Sequence, residues 1–179
     1  MKYIKSKEND KRLHIFLVCA AVICFLLASS VLPFAAEGGR GEPCDIILCF
    51  VCTLPFFAGK RKAGIFALAL GFAADLFINA PTAFSPVILL VCVFVVPAVA
   101  RFFSGNGTLV MAICTLPCII MKDVLGMAVS LFTAEGASIS GVISHYRPFT
   151  VLADFACAIC VAFIMRFFSK RLHIKAESL

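Results

Sequence analysis

Apolar residues in this chain run in long blocks separated by short polar breaks. They show neither the alternation of a half-buried strand nor the single stripe of a soluble helix. Six blocks predict membrane helices, over residues 15–36, 44–58, 63–78, 84–103, 108–132 and 149–168. The second and third are short, about 22–24 Å as full helices, against the ~30 Å of a hydrocarbon core. Either the bilayer thins around them or flanking residues such as Pro43 and Asn79 extend them. The expected fold is all-α: one six-helix transmembrane domain over residues 15–168, with basic tails at 1–14 and 169–179.

Composition agrees with the pattern. Of 179 residues, 62% are hydrophobic and 15% charged, where a soluble domain carries roughly a quarter charged residues. Charge then orients the spans. Lys2, Lys5, Lys7, Lys11 and Arg12 precede the first span, and Lys60, Arg61 and Lys62 fill the second-to-third turn. Arg101 ends the fourth span, and Arg166, Lys170, Arg171 and Lys175 close the chain. With six spans all of these fall on one side, and only Arg40 and Arg147 on the other. The positive-inside rule makes the basic side cytoplasmic, with both termini inside. The net charge of +6 follows from topology; it suits anionic lipid heads and gives no reason to invoke nucleic acid. The stretch LLASSVLPFAAEG after a basic tail also has the outline of a cleaved leader. The length of the first block and the charge count favour a retained helix.

Charged residues inside the blocks are the candidate chemistry. On a helix, positions three, four and seven apart share a face. Gly64, Ala67, Gly71, Ala74 and Asp75 therefore form a small-residue face on the third span, with Phe66, Leu70 and Phe77 roughly opposite, toward lipid. Small faces let helix backbones approach closely. The fifth span carries a stripe of Thr115, Lys122, Gly126 and Thr133 with Asp123 beside it, and the sixth carries Asp154, Ala158 and Ala162 at steps of four. A charge at a span centre costs about 2.5–3.5 kcal/mol on insertion scales. Pairing is therefore expected, most simply of Lys122 with Asp75, Asp123 or Asp154. The cluster reads either as an ion-pair network that fixes helix packing or as a polar site for a ligand, a proton or a partner helix.

Other chemistry has weak signals. Cys49-x-x-Cys52 and Cys157-x-x-Cys160 have the outline of redox or metal pairs. No second pair at zinc spacing accompanies them and neither a histidine nor a carboxylate is expected beside them, so the cysteines read as small hydrophobes and no metal is expected. His14, His145 and His173 lie at span ends or in tails. The loop EGASISGVISHYRP, with Ser138, Ser140, Gly141 and His145, lacks a G-x-S-x-G elbow. No nucleotide-binding glycine loop and no discontinuous inverted repeat is evident. The chain is expected to be no enzyme and to hold no cofactor.

The stretch KRKAGIFALALGFAADLFINAPTAFSPVILLVCVFVVPAVARFF resembles the central region of the rod shape-determining protein MreD family. That family shows a basic turn, an apolar helix ending G-x-x-x-D-L, a short small-residue loop and another apolar helix. Here these are Lys60, Arg61 and Lys62, then Gly71, Asp75 and Leu76, then residues 79–85 and the fourth span. Pro43-Cys44-Asp45-Ile46 resembles the opening of the family's second helix, with Cys44 as a departure, and the closing RFFSKR fits as well. Motif content covers residues 40–105; Lys122 and Asp123 lie outside it. The resemblance implies a fold like that of energy-coupling-factor S-components. It also implies a non-enzymatic subunit of the bacterial cell-elongation machinery that helps position peptidoglycan synthesis. The implied partners are an MreC-like scaffold, the MreB cytoskeleton and the RodA–penicillin-binding-protein synthase. The alternative from another class is the substrate-binding S-component of an energy-coupling-factor vitamin transporter.

Overall fold

A computed structural model describes residues 2–37, 45–77, 85–103, 107–133 and 148–171. These residues form six helices: α1 (Lys2–Glu37), α2 (Ile46–Thr53), α3 (Pro55–Phe77), α4 (Ser85–Ala100), α5 (Thr108–Thr133) and α6 (Pro148–Arg171). No strand occurs among the described residues. Lys11–Ser29, Thr108–Leu125 and Val151–Arg171 are each long and apolar enough to cross a membrane, and Ser85–Ala100 is a shorter apolar helix. Arg40, Pro43, Cys44, the loop of residues 78–84, the serine-bearing loop with His145 and Arg147, and the end of the chain with His173 and Lys175 lie outside the described residues.

The helices are inverted relative to those of a water-soluble protein. α1 buries Leu13, Leu17, Ala21 and Ala28 along one face and turns Ile15, Val18, Val22, Ile23, Leu26 and Leu27 outward. α6 buries Asp154, Ala158, Ala162, Met165 and Ser169 at steps of four and three, and turns Leu152, Phe163, Ile164, Phe167 and Phe168 outward. Small and polar groups inside with large apolar groups outside is the arrangement that a lipid solvent selects. In water, so large an apolar surface would demand a partner. α1 also extends further back than the first block predicts. The helix begins at Lys2, so residues 2–14 of the basic segment are helical and continuous with the first block.

α2 occupies the centre. It packs on α1, α3, α4, α5 and α6, and Ile47 through Thr53 are all buried. Around it, α1 meets α3, α3 meets α4, α4 meets α5 and α5 meets α6. The ring closes where the Phe16 and Phe168 rings lie 6.3 Å apart. Within the predicted second span, residues 44–58, residues 47–58 are all buried by protein. At eight residues, α2 is about 12 Å long and is sheathed by protein. Its end has a local cause. Leu54 is the C-cap, and Pro55 opens α3 at the position where a missing N–H costs least. The chain turns a few residues later at Gly59, whose φ of 70° lies in the left-handed region open to glycine. The basic turn therefore begins at Gly59, with Lys60 and Arg61 exposed and Lys62 half-buried.

α3 and α4 meet most closely at Gly71, where an added Cβ would lie 2.4 Å from the Cα of Pro86. Gly64 faces Leu90 more loosely, at 3.5 Å to Cδ1. Ala63, Ala67 and Ala74 are buried along the same helix. The opposite face differs from the expectation: Leu70 is buried and Phe66 packs against the core beside His14. The outward side chains are Ile65, Leu68, Phe72, Leu76 and Phe77. α3 packs on α1 and α2 as well as on α4, so its buried arc is wider than the small stripe alone.

Candidate functional site

The polar centre of the bundle is built around Asp45, directly ahead of α2. As the N-cap, its Oδ1 accepts from the Leu48 N–H at 3.1 Å, satisfying one of the open donors of the first helical turn. Its Oδ2 pairs with Lys122 Nζ at 2.8 Å. Its own N–H donates to Asp154 Oδ1 at 2.8 Å. One residue thus joins the start of α2 to the middle of α5 and to the second turn of α6. Asp154 is 5% exposed, and the side chains of Lys122 and Asp45 are 31% and 26% exposed. Cys49, one turn along α2, donates to the backbone carbonyl of Asp154 at 3.4 Å.

The sequence points Lys122 toward Asp75, Asp123 or Asp154, whereas its ion pair is with Asp45. Asp154 joins the cluster through the Asp45 amide, and both Asp154 and Asp123 lie within electrostatic reach of Lys122. Asp75 stands on α3, half-buried, and its Oδ1 is enclosed without a hydrogen-bond partner. A signal for Asp45 exists in the sequence: an Asp immediately before an apolar block is an N-cap signature. Its position at a block edge disguises it as a loop residue, and its second carboxylate oxygen is free to serve a distant helix. Gly126 and Thr133 belong to α5, but their side chains lie outside the described ones.

At the other end of α5 and α6, Arg166 Nη1 donates to Thr108 Oγ1 at 3.3 Å, and the Arg171 guanidinium lies 5.6 Å from the Phe167 ring centre. The buried hydroxyls serve their own helices: Thr53 donates to the Phe50 carbonyl at 2.7 Å and Thr115 to that of Ala112 at 2.6 Å. A second cluster was not legible in the spacing. Cys52 of α2, Cys92 of α4 and Cys118 of α5, all fully buried, bring their Sγ atoms within 4.8 Å of one another.

The Asp45–Lys122 ion pair and the hydrogen bond from the Asp45 N–H to Asp154 clamp α2, α5 and α6 together. No protein-family model, no curated protein and no solved structure matches the chain.

Proposed function

We propose that the chain is a non-enzymatic, multi-pass subunit of the bacterial plasma membrane, of the kind that the MreD resemblance implies. It crosses the bilayer with both termini cytoplasmic and acts by docking the transmembrane helices of the cell-elongation machinery. The observation that carries this reading is that Lys122 is paired with Asp45 at 2.8 Å and the Asp154 carboxylate accepts from the Asp45 N–H at 2.8 Å, so these groups tie the bundle's own helices together. A bundle held in this way offers its partners a rigid apolar exterior. On α3 that exterior includes Phe72, Leu76 and Phe77, next to the carboxylate of Asp75. The partners of this reading are an MreC-like scaffold and the RodA–penicillin-binding-protein pair in the membrane, with MreB on the basic cytoplasmic side.

The test is affinity purification of the tagged chain from mild-detergent membranes, followed by mass spectrometry. Recovery of a scaffold and an elongation synthase is the expected result. Recovery of a transporter ATPase pair would overturn it in favour of an S-component, with the same charges then lining a substrate pocket. Asp75→Asn separates docking from folding. If Asp75 docks a partner helix, the variant is expressed at the normal level and recovers less partner. Equal loss of protein and partner would assign the carboxylate to the bundle itself.

A further inference from the structure

We propose that Cys52, Cys92 and Cys118 form a three-coordinate thiol site for a soft monovalent cation of the copper(I) class, in the core of the bundle. The three sulfurs come from three different helices, α2, α4 and α5, and meet within 4.8 Å of one another at fully buried positions. Three ligands spaced evenly around an ion at the ~2.3 Å typical of metal–thiolate bonds stand about 4.0 Å apart. Closing the site from the 4.8 Å limit therefore takes sub-ångström movement of each sulfur.

The number and kind of donors choose the ion. Zinc in a structural site takes four tetrahedral ligands, and the group here contains three. Thiolate softness selects copper(I) among the first-row ions, while hard cations prefer oxygen. Charge points the same way. A buried, dry site penalises any net charge that is left unpaired. Copper(I) that displaces one thiol proton and is held by one thiolate and two thiol sulfurs leaves the cluster neutral. One S–H bond breaks, the proton leaves to solvent, Cu–S bonds form and no electron moves. A divalent ion held by three thiolates would leave a net negative charge in the core.

On α2, Asp45, Cys49 and Cys52 lie at steps of four and three, and on α5, Cys114, Cys118 and Lys122 lie at steps of four, so each set shares a face. α2 and α5 pack together, and the Asp45–Lys122 pair joins them at 2.8 Å. The three thiols therefore lie about two turns of α2 from the part-exposed ion pair, on the α2–α5 contact that this pair joins. Cys19 and Cys160, by contrast, are exposed on the apolar exterior.

The test uses the full chain in detergent under anaerobic, reducing conditions, with copper(I) delivered from and competed against a coloured bicinchoninate chelator. The expected result is one copper(I) retained per chain, with X-ray absorption showing three sulfurs as neighbours and a higher thermal midpoint on loading. Cys52→Ala, Cys92→Ala and Cys118→Ala each weaken retention at least a hundredfold, whereas Cys19→Ala and Cys160→Ala leave it unchanged. Full transfer of copper to the chelator by the unsubstituted chain overturns the proposal. So does retention that survives the triple alanine variant, and so does a spectrum with two sulfur neighbours. The absorption measurement on unsubstituted protein keeps the test decisive even where an alanine variant fails to fold.

Discussion

Asp45 carries three separate duties, and its substitutions should separate them. Asparagine retains the N-cap preference but loses the charge opposite Lys122. Asp45→Asn is therefore expected to leave α2 formed and to lower stability by the cost of an unpaired lysine. Removing one partner of a buried pair costs about 3–5 kcal/mol. At one quarter to one third exposure the loss should lie below that, about 1–3 kcal/mol. Lys122→Met alone should lose a similar amount, and the double variant Asp45→Asn/Lys122→Met should lose less than the two singles added together. Thermal unfolding in detergent across this double-mutant cycle measures the coupling. A strictly additive result would mean that the pair does not hold the bundle. The glycines of α3 give a second contrast at this scale. Gly71→Ala drives a Cβ into the Pro86 backbone at 2.4 Å and should destabilise the α3–α4 contact by about 1–3 kcal/mol. Gly64→Ala meets only the end of the Leu90 side chain at 3.5 Å, so helix propensity should dominate and stabilise by up to about 1 kcal/mol. The ratio of the two midpoint shifts checks the approach of the two helices.

Among the elements, legibility in the sequence follows from how far each helix determines its own surroundings. The stripe Asp154, Ala158, Ala162 could be read at once, because steps of four on a long helix fix one face, and all three residues are buried. Gly71 was legible as a packing residue for the same reason. α2 was not. An apolar run of this length looks alike whether lipid or protein surrounds it, and only the other five helices decide that it lies at the centre. The error for Leu70 and Phe66 has the same origin: period gives direction around a helix but not the number of neighbours. The thiol cluster needed the tertiary structure entirely, since Cys52, Cys92 and Cys118 have no common spacing and belong to three elements. Local Cys-x-x-Cys pairs drew attention instead, although Cys49 bonds the Asp154 carbonyl and Cys160 is exposed. The centrality of α2 makes its own prediction. Phe50 is fully buried, and Phe50→Ala should cost about 3–5 kcal/mol through cavity formation. Phe163→Ala on the outward face of α6 should change the unfolding midpoint little.

Across the whole molecule, direction and charge together predict an orientation in the bilayer. Gly71 late in α3 touches Pro86 early in α4, and Arg166 late in α6 reaches Thr108 at the start of α5, so these neighbours run antiparallel. The Asp45–Lys122–Asp154 cluster lies toward the end of the bundle where α2 and α6 begin. Arg166, Lys170 and Arg171 lie toward the end where α6 finishes. The translocation bias against Lys and Arg predicts that the basic end stays inside. The charge cluster then falls in the outer half, where its part-exposed lysine and carboxylate can reach the interface, which lowers the cost of keeping them. A C-terminal green fluorescent protein fusion should therefore fluoresce, and an alkaline phosphatase fusion at the same point should be inactive. N-terminal fusions should behave in the same way. Neutralising Lys60 and Arg61 together should weaken this preference without touching the core, since both are exposed, and should yield a mixed population in which some phosphatase activity appears. Active phosphatase at the C-terminus of the unsubstituted chain, with the N-terminal fusions still reporting inside, would require an odd number of crossings. It would place the basic end of α6 outside, and the six-crossing arrangement would then be wrong.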